Sequence, residues 1–230
     1  MRPGAIVTDI EGTTSSIAFV HEVLFPYSRA RLAAFVAARP REMEPMLDAV
    51  RAECGEALDR DGCIARLLEW HDADRKIAPL KQIQGLIWAE GYARRAFAGH
   101  VYADAAEGLR RWHAAGIPVH IYSSGSIAAQ KLLFGWSEHG DLTPLLAGHF
   151  DTRIGGKREA ASYHAIAAAL GLRPATILFL SDTPEELAAA VAAGLAVTRL
   201  AREGAPAPGE AERWPVAASF DEILPMEARA

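Results

Sequence analysis

From Asp104 to the C-terminus, short apolar runs alternate with helical patterns, and this alternation restricts the fold more than any other feature of the chain. Asp104 to Ala115 reads as a helix that stops at Gly116, a good C-terminal cap, and Ile117 to Tyr122 reads as a strand. Ser126 to Trp136 reads as a helix, and Leu142 to Phe150 as a short helix running into a strand. Lys157 to Leu170 is a helix closed by Gly171, and Ala175 to Leu180 is a strongly apolar strand. Glu185 to Ala193 is a helix closed by Gly194, and Leu195 to Leu200 is another strand. Pro206, Pro208 and Gly209 mark a loop before a last strand, Val216 to Ser219, and a turn of helix from Asp221. Strands this apolar, separated by amphipathic helices, pair in parallel and are covered on both faces.

One strand stands apart. Ala5 to Ile10 is apolar and β-branched, yet no second strand follows for more than a hundred residues. After a connector, Ser15 to Phe19, everything to about Phe97 is helical. His21 to Ala38 carries Pro26, which should interrupt it near its start, and Pro40, which should close it. Glu42 to Leu58 is a second helical stretch. Asp61 reads as the N-cap of a third, and Pro79 as the opening of a fourth. The Trp and Tyr residues of this region read as packing. Gly99 to Ala103 is a linker. The expected architecture is α/β: a Rossmann-like parallel sheet core of residues 1–18 and 99–230, with an all-helical cap of residues 19–98 inserted after strand one. Placed beside the strand-end crevice, such a cap can act as a lid.

Composition excludes several classes. Half of the 230 residues are hydrophobic, so a sizeable core is possible. A formal charge of −5 gives no basic footprint for nucleic acid. No run approaches the roughly 18 apolar residues of a membrane span, and no cleavable leader opens the chain. Cys54 and Cys63 form no CxxC pair, and a reduced, cytoplasmic chain is the simplest reading.

The chemistry gathers at strand ends, where open α/β sheets bind ligands. The first strand ends in Asp9 and Glu11, followed by Gly12, Thr13 and Thr14. The second ends in Ser123 and Ser124, whose hydroxyls suit a phosphate, while a plain helix cap by Ser124 or Ser126 is the other reading. Lys157 reads as a helix-start lysine, placed against the dipole, which is either solvated or waiting for an anion. Asp182 ends an apolar strand and would also serve as a cap before Thr183-Pro184. Taken together, two acids, two serines, a lysine and a further acid on one rim make a phosphoryl-transfer site. Asp9 and Asp182 could hold Mg²⁺, which needs only one or two carboxylates besides waters and phosphate oxygens. Ser123, Ser124 and Lys157 would orient the phosphate. Asp9 could attack phosphorus, and Glu11 could protonate the leaving oxygen and then activate water.

These four pieces resemble the motifs of the haloacid dehalogenase-like phosphohydrolases: Asp9-Ile-Glu11, Ser123, Lys157 and Ser181-Asp182. One branch is more similar than the rest, the enolase-phosphatases of methionine salvage, or acireductone synthases. It shares Asp9-Ile-Glu-Gly-Thr-Thr14 in place of the usual DxD, together with Phe19 to Tyr27, Gln84 to Tyr92, Tyr122 to Ser126, Glu159 to Tyr163 and Phe179 to Asp182. The likeness runs from about Ile6 to about Leu200. It implies a cytoplasmic, monomeric enzyme with one Mg²⁺ per chain, held by Asp9, Asp182 and the Glu11 backbone carbonyl, with Ser123, Ser124 and Lys157 contacting substrate. The implied substrate is a phosphorylated diketone, 2,3-diketo-5-methylthiopentyl-1-phosphate, first enolised and then dephosphorylated to 1,2-dihydroxy-3-keto-5-methylthiopentene. Gly156 and Thr183 depart from the family pattern without removing a functional group. His21, Glu90 and Tyr92 are candidates for the enolising base.

The rival readings are another small-phosphomonoester phosphatase of the same superfamily, a dehalogenase, a response-regulator receiver and a P-loop protein. Glu11 speaks against the first and Asp182 against the second. The helical insert speaks against the third. The stretch Asp151 to Arg158 lacks the first glycine and the final hydroxyl of a P-loop.

Overall fold

The computed structural model describes residues 2–202 and 214–224. The expected Pro206–Gly209 loop lies outside these. The chain folds as two compact units, Met1–Ile17 with Gly99–Ala230, and Ala18–Ala98. It opens with β1 (Ala5–Thr8) and α1 (Ile17–Phe19), then runs through α2 (Phe25–Ala38), α3 (Pro40–Cys54), α4 (Arg60–Asp72) and α5 (Ala78–Ala93). It continues with α6 (Ala103–Ala114), β2 (Val119–Tyr122), α7 (Ile127–Gly135), β3 (Gly148–Phe150) and α8 (Ala160–Leu170). β4 (Ile177–Ser181), α9 (Pro184–Ala192), β5 (Ala196–Leu200) and β6 (Val216–Ala217) follow.

The helical unit is held by its own apolar centre. α2 packs on α3, α4 and α5 through Leu32, Val36, Met43, Leu47, Leu67 and Ile83, all fully buried. Each such side chain stabilises the unit by roughly 1.5–3 kcal/mol. Tyr92 packs edge-to-face on Phe97 at 4.6 Å between ring centres, and Tyr27 meets the same ring at 4.8 Å. Before α2 the chain makes one wide turn, Val20–Leu24, in which the Phe25 N–H reaches the Val20 carbonyl. Pro26 stands in the first turn of α2, so it interrupts nothing beyond this π turn; the wide turn gives its ring room over the preceding carbonyls. Two expectations need correction here. Pro40 opens α3 rather than closing α2, because a first-turn proline needs no N–H partner. The N-cap of α4 is Asp59, whose Oδ1 accepts from Gly62 N at 2.7 Å, and Asp61 lies within the first turn.

Among the described residues the other unit has six strands in the order β3-β2-β1-β4-β5-β6, every neighbour parallel. β1 is buried along its whole length, as a central strand covered on both faces must be. Val7, Tyr122, Tyr163, Phe179 and Leu187 form part of one core on the sheet and its helices. In this strand order the chain departs from β1 to one side and from β4 to the other. The crevice outside the β1 and β4 carboxyl ends is therefore the place where a ligand has room. Thr8 sits opposite Leu180 and Ile121, so Asp9 comes level with the ends of both neighbouring strands.

Candidate active site

A cavity of about 390 Å³ opens at these strand ends, and its wall includes Asp9, Glu11, Ser124, Lys157, Asp182 and Glu186. Five of these are residues singled out from the sequence, contributed by four different loops. The sixth, Glu186, is not.

Asp9 leaves β1 with its side chain almost buried. Its Oδ1 accepts from the Ile10 N–H at 2.7 Å and from Lys157 Nζ at 2.6 Å, which leaves Oδ2 facing other partners. The chain then turns back tightly: the Ile10 carbonyl accepts from the N–H groups of Thr13, Thr14 and Ser15. Gly12 makes this turn possible, with φ at +73° and a missing side chain that would otherwise lie 2.3 Å from Asp182 Oδ2. Thr13 Oγ1 accepts from the Asp182 N–H at 3.0 Å, tying the first acid loop to the end of β4. Arg202 donates to the Thr13 carbonyl at 2.7 Å and pairs with Asp104 at 2.6 Å, which fixes the turn from behind.

Lys157 does not start a helix. It lies in a turn three residues before α8, so the helix dipole invoked from the sequence is not its setting. Three buried hydroxyls hold the carbonyls of this turn in succession. Tyr122 donates to Gly155 at 2.9 Å, Ser162 to Gly156 at 2.7 Å and Tyr163 to Lys157 at 2.6 Å. Gly155 is needed here, since φ is +135° and a Cβ would lie 2.2 Å from Ser162 Oγ. The ammonium so aimed bridges Asp9 and Glu186, at 2.6 and 2.7 Å. Burial opposes its charge, but Asp9 and Glu186 outweigh that and hold Lys157 above the usual lysine range.

Asp182 is not the cap of α9; that position is Thr183, whose hydroxyl donates to Asp182 Oδ1 at 3.2 Å. Burial, and after it the charge of Asp9, push the Asp182 carboxyl above its usual range. Glu186 sits in the first turn of α9 and accepts from Ser181 Oγ at 2.9 Å. Burial and Asp9 push it up to about 7, against the pull of Lys157. Asp9 and Glu186 thus share one ammonium, Asp182 stands in the same cavity wall outside that pairing, and the carboxylates outnumber the lysine.

That excess is the fit test for a divalent cation. Among the described residues no three His, Cys, Asp or Glu side chains converge as a ready-made cluster. Mg²⁺ needs only one or two carboxylates, completed by carbonyl, water and phosphate oxygens. Asp9 and Asp182 both line the cavity and would supply such carboxylates, and the repulsion of Asp182 by Asp9 is what a cation between them would relieve.

The two serines separate. Ser124 lines the cavity, whereas Ser123 is 3% exposed and its Oγ accepts from Gly125 N at 3.1 Å. Ser123 therefore shapes the loop, with its own hydroxyl proton left to donate. Ser126 is the cap of α7, accepting from Ala129 N at 3.2 Å. Of the three base candidates, all in the helical unit, Tyr92 is 2% exposed and packs among aromatic rings. Glu90 pairs with Arg39 and Arg94, and His21 is exposed.

Glu186 escaped the sequence reading because a first-turn acid is ordinarily a solvated partner of the helix dipole. A signal was present: the buried stripe of α9 runs through Glu186, Leu187, Ala189 and Ala190, which turns that acid inward.

Comparison with known proteins agrees with this geometry. The family of haloacid dehalogenase-like hydrolases matches residues 3–194. Enolase-phosphatase E1 of Methylococcus capsulatus is 53% identical over 96% of this chain and 97% of its own length. Enolase-phosphatase E1 of Azotobacter vinelandii is 54% identical over the same shares. The crystal structure of the UTR4 protein of Saccharomyces cerevisiae superposes with a TM-score of 0.83 at 34% identity, covering 96% of this chain and 100% of that one. A parallel sheet with acids at the β1 and β4 ends, joined to this extent of similarity, places the chain in the haloacid dehalogenase-like hydrolases, within their enolase-phosphatase E1 branch.

Proposed function

We propose that the chain is a bifunctional, Mg²⁺-dependent enolase-phosphatase of methionine salvage. It converts 2,3-diketo-5-methylthiopentyl-1-phosphate to 1,2-dihydroxy-3-keto-5-methylthiopentene by enolisation and then loss of phosphate. The observation that supports this most is Asp9 paired with Lys157 at the strand-end crevice, 2.6 Å apart, in a chain half identical to enolase-phosphatases along nearly its whole length. Residues 19–98 are proposed as the cap of this reaction. Cys54 and Cys63 are both free thiols, which suits a reducing cytoplasm. We take the active form to be a monomer.

Each residue has a role that follows from its place. Lys157 and the Ile10 N–H occupy Oδ1 of Asp9, leaving Oδ2 to attack phosphorus. The bond from phosphorus to the substrate oxygen breaks as that of the aspartyl-phosphate forms, and Glu11 gives the leaving oxygen its proton. Glu11, now ionised, takes a proton from water, which attacks phosphorus and frees Asp9 and inorganic phosphate. Ser123, Ser124 and Lys157 donate to the phosphate oxygens. Mg²⁺ bound by Asp9, Asp182 and the Glu11 carbonyl would offset the charge of the phosphoryl group. Glu186 keeps Lys157 aimed, and Thr13 keeps Asp182 in place.

The test is one assay with two readouts. Protein, Mg²⁺ and a 2,3-diketo-1-phosphate are mixed while enol absorbance and free phosphate are followed together. Enol that rises before or with phosphate is the expected result. Phosphate from ordinary phosphomonoesters, with no enol from the diketone, would contradict the assignment while leaving the Asp9 chemistry standing.

A further inference from the structure

Behind the serine loop lies a buried side chain that no part of the reaction so far uses. Gln130, on the second turn of α7, is 1% exposed. Its amide nitrogen donates to the Gly125 carbonyl and to the Phe150 carbonyl, both at 2.9 Å. Two carbonyl partners fix which end of the amide is nitrogen. The oxygen end then accepts from His149 Nδ1 at 3.0 Å, so that ring nitrogen carries its hydrogen. Three of the four hydrogen-bonding positions of the amide are thus used, in a place without access to bulk water.

The two carbonyls are not arbitrary. Gly125 follows Ser124 directly, and Phe150 ends β3 and also accepts from the Ser123 N–H at 3.3 Å. One side chain therefore ties together both ends of the segment that presents Ser124 to the cavity. The Gly125 N–H donates to Ser123 Oγ and the Ala129 N–H to Ser126 Oγ, which adds to the loop's bonds. Met or Leu would fill the same volume, but neither could hold two carbonyls.

We propose that Gln130 is a positioning residue for phosphate binding. It sets the place of the Ser123–Ser126 loop through the Gly125 and Phe150 carbonyls and is itself oriented by His149. This rests on the phosphatase reading of the site but not on the identity of the substrate. A residue that merely filled the core would change stability alone. A positioning residue changes how well the folded enzyme grips phosphate.

The test compares wild type, Q130M, Q130E and H149F, each at a temperature where circular dichroism shows it folded. KM and kcat are measured on a phosphorylated substrate, together with competitive inhibition by inorganic phosphate. Q130M and Q130E are expected to raise KM and the phosphate inhibition constant by between about tenfold and a hundredfold, the scale of an ångström-sized misplacement in a site. H149F, which keeps the glutamine but removes its orienting partner, should shift both in the same direction by less. Lower thermal stability with KM and phosphate inhibition unchanged would overturn the proposal and leave Gln130 a packing residue. Should both Gln130 variants fail to fold, H149F decides the matter, and unchanged phosphate inhibition in that variant overturns the proposal. Inhibition by inorganic phosphate does not depend on which ester is hydrolysed. A protein that makes no enol, yet loses phosphate inhibition on Q130M, would sink the enolase reading and uphold this one.

Discussion

Replacing Gly12 by alanine tests the arrangement of the two acid loops with one carbon atom. The new Cβ would lie 2.3 Å from Oδ2 of Asp182 and 2.6 Å from its Cγ, whereas ordinary contact begins at 3.4 Å. The carboxylate must therefore retreat by about 1 Å, the difference 3.4 − 2.3, or the turn must open. Opening the turn is resisted by the three N–H groups on the Ile10 carbonyl. The backbone adds its own cost, since an alanine at φ +73° loses roughly 1–2 kcal/mol relative to glycine. The Asp182 backbone is held by its N–H to Thr13 Oγ1, so the retreat falls to rotation of the side chain, which carries the carboxylate out of its place beside Asp9. A displacement of this size in a catalytic group costs on the order of a hundredfold in rate. The assay is phosphate release across a Mg²⁺ series, with urea unfolding in parallel. Turnover should fall about a hundredfold and the Mg²⁺ requirement should rise, with stability reduced by the backbone cost. In an Asp182→Ala background the same change should cost stability only that backbone part. Gly12→Ala enzyme within about twofold of wild type in rate and Mg²⁺ requirement would refute the placement of Asp182 against this turn.

Removing the shared cation should be severe: Lys157→Met leaves buried carboxylates unpaired, so urea unfolding should show a loss of about 3–5 kcal/mol along with the loss of phosphate turnover. In the helical unit, Asp59→Ala should cost about 1 kcal/mol by removing the cap on Gly62, while Asp61→Ala should leave the urea midpoint nearly unchanged; the reverse order would restore Asp61 as the cap. Burial holds the His71 imidazole below its ordinary value of 6.5, with Nε2 bonded to Ser28 Oγ at 3.0 Å. A lowered folded value means the unfolded chain binds the proton first, so this contribution to stability is present above pH 6.5 and is lost as pH falls through the folded value. His71→Gln should flatten that part of the stability–pH curve, and an unchanged curve would exclude the histidine as its source.

The sheet was legible because β1 and β4 are buried on both faces and so read as unbroken apolar runs. Asp9 and Asp182 were legible for the same reason: a charge that ends such a run must lie at the rim. Lys157 was singled out, and it does line the cavity, but from a turn rather than a helix start. Its turn is held by Tyr122, Ser162 and Tyr163, and hydroxyls that meet only in the folded chain leave no local pattern. Gln130 was hidden in the same way, since its partners at Gly125 and Phe150 lie on either side of it in the sequence. Pro40 misled because proline ends one helix as readily as it begins the next. Only the backbone geometry at Arg39, the residue before α3, separates the two.

The central claim is that Asp9 itself carries the phosphoryl group. The most direct measurement is a rapid acid quench of enzyme, Mg²⁺ and phosphorylated diketone within the first turnover, followed by peptide mass spectrometry. A phosphoryl group on the peptide that contains Asp9, absent from Asp9→Asn and decaying as free phosphate appears, is the expected result. Phosphate released in that first turnover with no phosphoryl group on Asp9, or an Asp9→Asn enzyme that turns over at the wild-type rate, would contradict it.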